Sequence, residues 1–336
     1  MGNQTTLPDF STVAPLRTLS VPAGSLHVHV SMPCPLKTPF KQLFIPFVEA
    51  WNRDTSRPPL YWPGMGGCTD EAMDQSFGNG MPDVLVTSGY NLLFSKPFRQ
   101  RYIESGIYGQ LPLDFYPASY PRQLLDASQK FGVGFLGFSS WGLVHDTTFS
   151  PSPEVPASWH DLVRPGFRQQ FSIHGCHGHA GNLSMLLALV RAQGEKALSG
   201  LAGNIKKVRH FAELIDEMGS SSPQKTPFYI LPYSAIAHIP SKKQVQIVPL
   251  NDSVLTPMMC LVKQSEIARS RDLLHFFAGK EFKQLLLRGA YFQPDGLDGI
   301  EHHGFDDMQE LSRVYYEGAE PLLSVFTTLL GDKMSK

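Results

Sequence analysis

Residues 171–182 read FSIHGCHGHAGN. A short apolar run, Phe171 to Ile173, ends in four soft or nitrogenous ligand types: His174, Cys176, His177 and His179. Gly175, Gly178 and Gly181 separate them, and Asn182 opens the apolar run LSMLLALV. The order predicts strand, glycine-rich turn, helix. Such a turn aims backbone N–H groups at whatever binds there, and it stabilises anions and thiolates. The plain alternative is a βα loop whose histidines are only solvated.

The rest of the chain supplies the frame for that turn. A chain of 336 residues exceeds most single cores, so two lobes are expected. With 42% apolar and 18% charged residues it has an ordinary globular composition. A formal net charge of −1 gives no electrostatic reason to expect nucleic acid or a membrane surface as partner. No run approaches the roughly 20 apolar residues of a membrane span, so no membrane insertion is expected. The start, MGNQTTLPDF, has neither the basic nor the apolar region of a signal peptide. The reading is therefore cytoplasmic, or extracytoplasmic if a leader has been removed. Four cysteines stand far apart with no CxxC spacing, and in a reducing compartment thiols are the default.

Three βα units precede the opening stretch. Leu26–Met32 (LHVHVSM) alternates as a strand, His27 and His29 sharing one face as structural residues. It stops at Pro33-Cys34-Pro35, and a helix is expected from Thr38-Pro39 onward. Leu60 to Pro63 is a short extended piece, followed by a glycine turn and Cys68 before a helix start at Thr69-Asp70-Glu71. Residues 82–90, PDVLVTSGY, form a buried parallel-type strand ending at Thr87-Ser88. Parallel strands share one ligand-binding edge, which places Cys34, Cys68 and Thr87-Ser88 together.

Residues 131–144, FGVGFLGFSSWGLV, are expected to be extended and to cross between lobes, with Trp141 buried in the crossing. Two separate sheets follow from that view, residue 84 in one and residue 173 in the other. Between Gly200 and Met218, the apolar positions Ile205, Val208, Phe211 and Ile215 fall at helical spacing. Cys260 lies inside an apolar strand as an inert thiol, and His302-His303 is a surface pair.

The segment from Pro156 to Leu162, PASWHDL, followed by PGFR at 165–168, resembles the P-x-S-W-x-D-L … P segment of type II periplasmic solute-binding proteins. The resemblance is to their ferric-iron, thiamine and polyamine branch. PDVL at 82–85, the stretch from Pro249 to Lys263, and the late FF and EFKQLL motifs fall in matching order. It implies an α/β, two-lobed periplasmic-binding-protein-like (type II) fold with an interlobe cleft. The divisions would be an arm at 1–24, lobe one at 25–135, lobe two at 136–257, a return to lobe one at 258–285, and C-terminal helices at 286–336. The opening stretch becomes the lobe-two wall of the cleft, facing Cys34, Cys68, Thr87 and Ser88. Tyr233, in FYILPYSAIAHI, falls near the tyrosine iron ligands of ferric-binding members, without the adjacent second tyrosine.

Thiolates select zinc, copper(I) or iron–sulfur clusters over hard cations. Three cysteines from separate βα turns suit a centre assembled by the finished fold. The main expectation is a binding protein holding a metal centre on Cys34, Cys68 and Cys176. An iron–sulfur cluster is favoured, with zinc or another soft metal second, and a small anion beside it. His174, His177, His179, Thr87, Ser88 and Tyr233 complete the candidate ligand-binding set, and Cys260, a histidine from 174–179 or an exogenous molecule is the candidate fourth ligand. The alternative is an ABC-transporter substrate-binding protein for iron, a polyamine or a phosphorylated compound, partnered by an ABC permease. A Cys-His enzyme, with Cys176 activated by His174 or His179, ranks third because no carboxylate stands near in sequence to orient a base. No catalytic residue is assigned.

Overall fold

Strand β1, Leu26–Val30, forms from the β-branched alternation LHVHV and is almost wholly buried. The computed structural model describes residues 21–64, 81–89, 98–149, 153–176, 179–180, 185–186, 189–190, 193–248, 250, 255–294 and 325–333. After β1 the chain enters helix α1, Cys34–Arg53, four residues earlier than the expected start at Thr38. Pro33 holds the extended N-cap backbone and Pro35 sits in the first turn, where a missing N–H is no loss. Leu36, Phe40 and Phe44, spaced by four, form the buried stripe of α1.

Strands β2 (Leu60–Tyr61) and β3 (Val84–Ser88) both run parallel to β1. Helix α2 (Arg122–Phe131) ends on Gly132, whose φ of 64° is the left-handed cap that favours glycine. The chain then enters β4, Gly134–Asp146, thirteen residues long and buried throughout. Strands β5 (Phe171–Cys176) and β6 (His179–Ala180) pair antiparallel. Helix α3 (Lys196–Asn204), strand β7 (Ile205–Arg209), helix α4 (Phe211–Glu217), strand β8 (Phe228–Pro232) and helix α5 (Tyr233–Ile236) follow. Strands β9 (Val245–Val248) and β10 (Leu255–Val262) lead into helices α6 (Arg271–Ala278) and α7 (Lys280–Arg288).

Two local expectations are corrected. The strand at 171 runs three residues further than Ile173 and folds back through β6, so His174, Gly175 and Cys176 are strand and not turn. The helical spacing at 205–215 is also overridden: Ile205 and Val208 lie on β7, paired with β5, while Phe211 and Ile215 lie on α4. Positions 205 and 208 suit either period, and pairing with β5 decides the matter.

The strands form one mixed sheet in the order β2-β1-β3-β10-β4-β8-β5-β6, with β7 beside β5 and β9 beside β4. Residues 84 and 173 therefore belong to one hydrogen-bonded path, contrary to the expectation of separate sheets. The cause is the length of β4. Residues 134–140 pair with β10, and residues 141–146 pair with β8 and β9. One strand thus serves both lobes. The cores stay separate. Phe135, Leu136 and Phe138 join the aromatic core of the first lobe with Phe40, Phe44, Phe277 and Phe282. Trp141 and Leu143 join the core of the second with Trp159, Phe167, Phe171 and Phe228. The change of core falls at Ser139-Ser140, the polar break in the apolar run. Helical residues 325–330 pack on the second lobe through Phe326 and Leu330.

The PASWHDL segment proves to be a capped turn. The Asp161 carboxylate accepts the N–H groups of Ala157 (2.9 Å) and Ser158 (3.1 Å), while Trp159 and Leu162 are buried.

Candidate functional site

The parallel strands of each lobe point their carboxyl ends at the middle of β4. Ser88, the last residue of β3, pairs with Met258, which pairs with Gly137. Pro232, the last residue of β8, pairs with Trp141. Strand β3 runs in the same sense as β4 and β8 in the opposite sense, so the two ends head toward each other. Only Phe138, Ser139 and Ser140 lie between, about 13 Å of strand from Gly137 to Trp141. The lobes also meet above this point, since α1 and α5 approach within 8 Å, Cα to Cα. Crevices beyond converging carboxyl ends are where open α/β sheets bind ligands.

On the lobe-one wall, Thr87 is 2% exposed and is a core residue more than a cleft residue. Ser88 is half-buried at the strand tip. Burial drives the Tyr291 phenol well above its ordinary range and the Ser88 side chain opposes that shift, which places the two side by side. Cys34 opens α1 and is half-buried. Cys260 is fully buried, and desolvation pushes its thiol far above the ordinary value, as an inert core cysteine requires.

On the lobe-two wall, His174 is fixed by its neighbours. Its Nδ1 accepts the backbone N–H of Phe211 at 3.1 Å, and its ring lies nearly parallel to Trp141 at a centroid distance of 6.1 Å. His210, the N-cap of α4, sits perpendicular to it at 5.5 Å, and its own Nδ1 accepts the N–H of Ala212 at 3.4 Å. The parallel register of β5 and β7, which sets His174 opposite Arg209, brings this group together. Tyr233 begins α5 and packs over β4. A Cβ at Gly142 would lie 2.9 Å from the Tyr233 ring and 2.8 Å from Ile236, so glycine is required for that approach. Partial burial raises the Tyr233 phenol above its ordinary value.

Of the sequence-based candidates, Cys34 and Ser88 stand on one wall and His174, Cys176 and Tyr233 on the other, with Thr87 behind. Cys68 and His177 fall outside the described residues, and for Cys176 and His179 the backbone alone is described. Among the described residues no group of three or more His, Cys, Asp or Glu could hold a metal ion. For His174, a candidate fourth metal ligand, the structure describes the partner of one ring nitrogen. A neutral imidazole that ligates through Nε2 carries its proton on Nδ1, where the Phe211 N–H already points. Sequence reasoning missed His210, Gly142 and Tyr291. A histidine directly after a strand and before an apolar helix is a recognisable N-cap position, whereas Gly142 and Tyr291 carry no local signal.

No curated protein sequence matches this chain. Among solved structures the fold is widely shared. The periplasmic binding protein P5PA is 14% identical with a TM-score of 0.66, covering 91% of this chain and 99% of its own. The spermidine/putrescine ABC transporter substrate-binding protein PotD from Streptococcus pneumoniae is 14% identical with a TM-score of 0.53, covering 92% and 100%. A Bordetella ferric binding protein is 11% identical with a TM-score of 0.55, covering 90% and 98%. At such identities these structures establish the two-lobed fold alone. A family model described as extracellular matches residues 79–308, which favours the extracytoplasmic alternative over the cytoplasmic expectation. That match spans most of the sequence, and the chain belongs to the bacterial extracellular solute-binding protein family.

Proposed function

We propose that this protein is the substrate-binding component of an ABC transporter, enclosing one small solute between its lobes and presenting it to a membrane permease. The observation that carries this reading is the head-on convergence of β3 and β8 at residues 137–141 of a strand shared by both lobes. A ligand held there touches both lobes at once, so binding favours the closed arrangement over the open one. The likeness to structures named as spermidine/putrescine and ferric binding proteins supports a transported solute as the occupant.

The test is ligand capture with a structural readout. Purified protein is incubated with a metabolite extract, desalted, and examined by native mass spectrometry and small-angle scattering. One equivalent of added mass and a smaller radius of gyration are expected, and Trp141→Ala should lose both. A solute at about 100 times its dissociation constant should also stabilise the fold by about 2.7 kcal/mol in thermal unfolding. Unchanged mass together with superimposable scattering would defeat the proposal.

A further inference from the structure

A cavity of about 670 Å³ opens on lobe one beside residues 106–113, away from the cleft. That volume is of the size that holds small molecules. Tyr108 pins the segment to the sheet. It bridges Lys263 just past β10, and its hydroxyl donates to the Pro82 carbonyl at 2.7 Å. Gly109 N–H donates to Val262 O at 3.2 Å, and Gln264 N–H donates to Ile107 O at 2.9 Å. The cleft meets β10 at Met258, so about 13 Å of strand separates it from Val262. Leu111, 2% exposed, anchors the segment in the core, since a Cβ at Gly134 would lie 2.4 Å from its side chain.

The wall of this cavity is neutral. Gln110, Gln129 and Gln264 line it together with glycine, leucine and proline, and no charged side chain does among the described residues. Two of the glutamines are placed by contacts. Gln110 Nε2 donates to the Gln129 carbonyl at 3.0 Å. Gln264 lies across Gly109 so closely that a Cβ there would sit 1.6 Å from its Oε1, and only glycine admits that arrangement. Gln129 Nε2 is buried with no hydrogen-bond partner among the described residues, a lost hydration that nothing offsets.

We propose that this cavity binds a small uncharged ligand through an edge that sets a hydrogen-bond donor beside an acceptor. The carboxamide of Gln264 presents the complementary pair, as glutamine does toward adenine. Leu113, 68% exposed, and Pro112 supply apolar contact for the body of the ligand. A cation finds no carboxylate in this wall and an anion finds no cationic donor, so either would shed water without a counter-charge. The ion pair next along the segment, Asp114 with Arg271, is already matched. Primary carboxamides and nucleobases both carry the required edge. The site uses lobe one alone and stands independently of the cleft and of the transport role.

Side-chain amide 1H–15N spectra of the full-length glutamine-labelled protein provide the test, with Gln110→Leu, Gln129→Leu and Gln264→Leu for assignment. N-acetyl-leucinamide and uracil are the probes, and spermidine and sodium phosphate are the charged controls. A probe should shift the Gln129 and Gln264 amides while the Trp141 indole stays still. Its affinity should fall about tenfold or more in Gln264→Leu, as expected for two lost neutral hydrogen bonds. Gly109→Ala, which drives Gln264 aside, should reproduce that loss with the glutamine still present. If that variant fails to fold, Gln264→Leu decides, because its side chain is exposed. Response to N-acetyl-leucinamide alone identifies a carboxamide, and response to uracil alone a nucleobase. No shift with either probe, an equal shift with spermidine or phosphate, movement of Trp141 in place of the glutamines, or undiminished affinity in Gln264→Leu would overturn the proposal.

Discussion

Asp146→Asn should destabilise the fold by about 3–5 kcal/mol, the range for removing one partner of a buried, hydrogen-bonded charge pair. Asp146 ends β4 and is 0% exposed. Its Oδ1 accepts the Thr148 N–H at 3.0 Å and the Thr148 hydroxyl at 2.5 Å, and its Oδ2 accepts the Gly219 N–H at 2.9 Å. Lys225 Nζ lies 3.4 Å from the same Oδ2. The carboxylate therefore ties the shared strand to the turn after α4 and to the loop before β8. An asparagine has one acceptor oxygen for donors on two sides, so its NH2 group must face donors on one of them. A loss of this size is a large share of the roughly 5–15 kcal/mol that holds a typical domain together. Urea denaturation of wild type, Asp146→Asn, Lys225→Met and the double variant measures it. The double variant should cost less than the sum, because each single change already breaks the same pair; apart from Asp146, Lys225 meets the Thr148 hydroxyl and the Phe149 ring, the latter 4.8 Å away. The pH dependence has a definite sign. Burial alone raises the Asp146 carboxyl, but the bonds from Thr148 and Gly219 and the charge of Lys225 outweigh it and hold the group below its ordinary value. A depressed carboxylate stabilises the fold above the unfolded value of about 3.9 and loses that contribution as pH falls through the folded value. The gap between wild type and Asp146→Asn should therefore narrow below about pH 4. A cost under about 1 kcal/mol at neutral pH would refute the reasoning, since that is the range of an exposed ion pair.

Three further perturbations follow from single residues. Ala290 holds φ 55° one residue past the Gly289 cap of α7, where its N–H and that of Tyr291 bond to the carbonyls of Leu287 and Leu286, so Ala290→Gly should stabilise by about 1 kcal/mol in thermal unfolding; a loss would show that the cap is not strained. Gly142→Ala should cost about 1–3 kcal/mol in urea denaturation and weaken solute capture by pushing Tyr233 off β4, and an unchanged midpoint would mean that the ring moves freely. Burial pushes His29 down to about 4, so the unfolded chain binds the extra proton between that value and about 6.5. Stability should fall as pH drops through this window, with a slope approaching about 1.4 kcal/mol per pH unit, and His29→Phe should flatten it; parallel curves for the two proteins would count against a neutral buried imidazole.

Much of the fold was legible because its parts are locally encoded. LHVHV and VLVTS carry the β-branched runs of buried parallel strands, and Ser158 with Asp161 carries its own turn chemistry. The order of these pieces is what resembled the solute-binding family, and the family match agrees. Carboxyl-edge placement, which follows from strand direction alone, is what made Cys34, Ser88 and His174 candidates, whereas Tyr233 came from the family resemblance. Their chemistry was less legible. A thiolate centre was inferred from residue types that suit soft metals, yet among the described residues no metal-holding group exists, and Cys68 and the Cys176 thiol lie outside them.

Local sequence determined which segments are strands, where the polar break at Ser139-Ser140 falls, and that βα turns carry the ligand edge. Only the tertiary structure decided that β4 is long enough to be shared, which joins two expected sheets into one path while leaving two cores. It alone decided that residues 205–209 are strand, because their ambiguous period is settled by pairing with β5. It also decided what His174 can do. The side chain is in the sequence, but its tautomer is set by the amide of Phe211, 37 positions away, through the register of β5 with β7. Periodicity records which way a residue faces within its own element, and hydrogen-bond roles between elements exist only once the strands have paired.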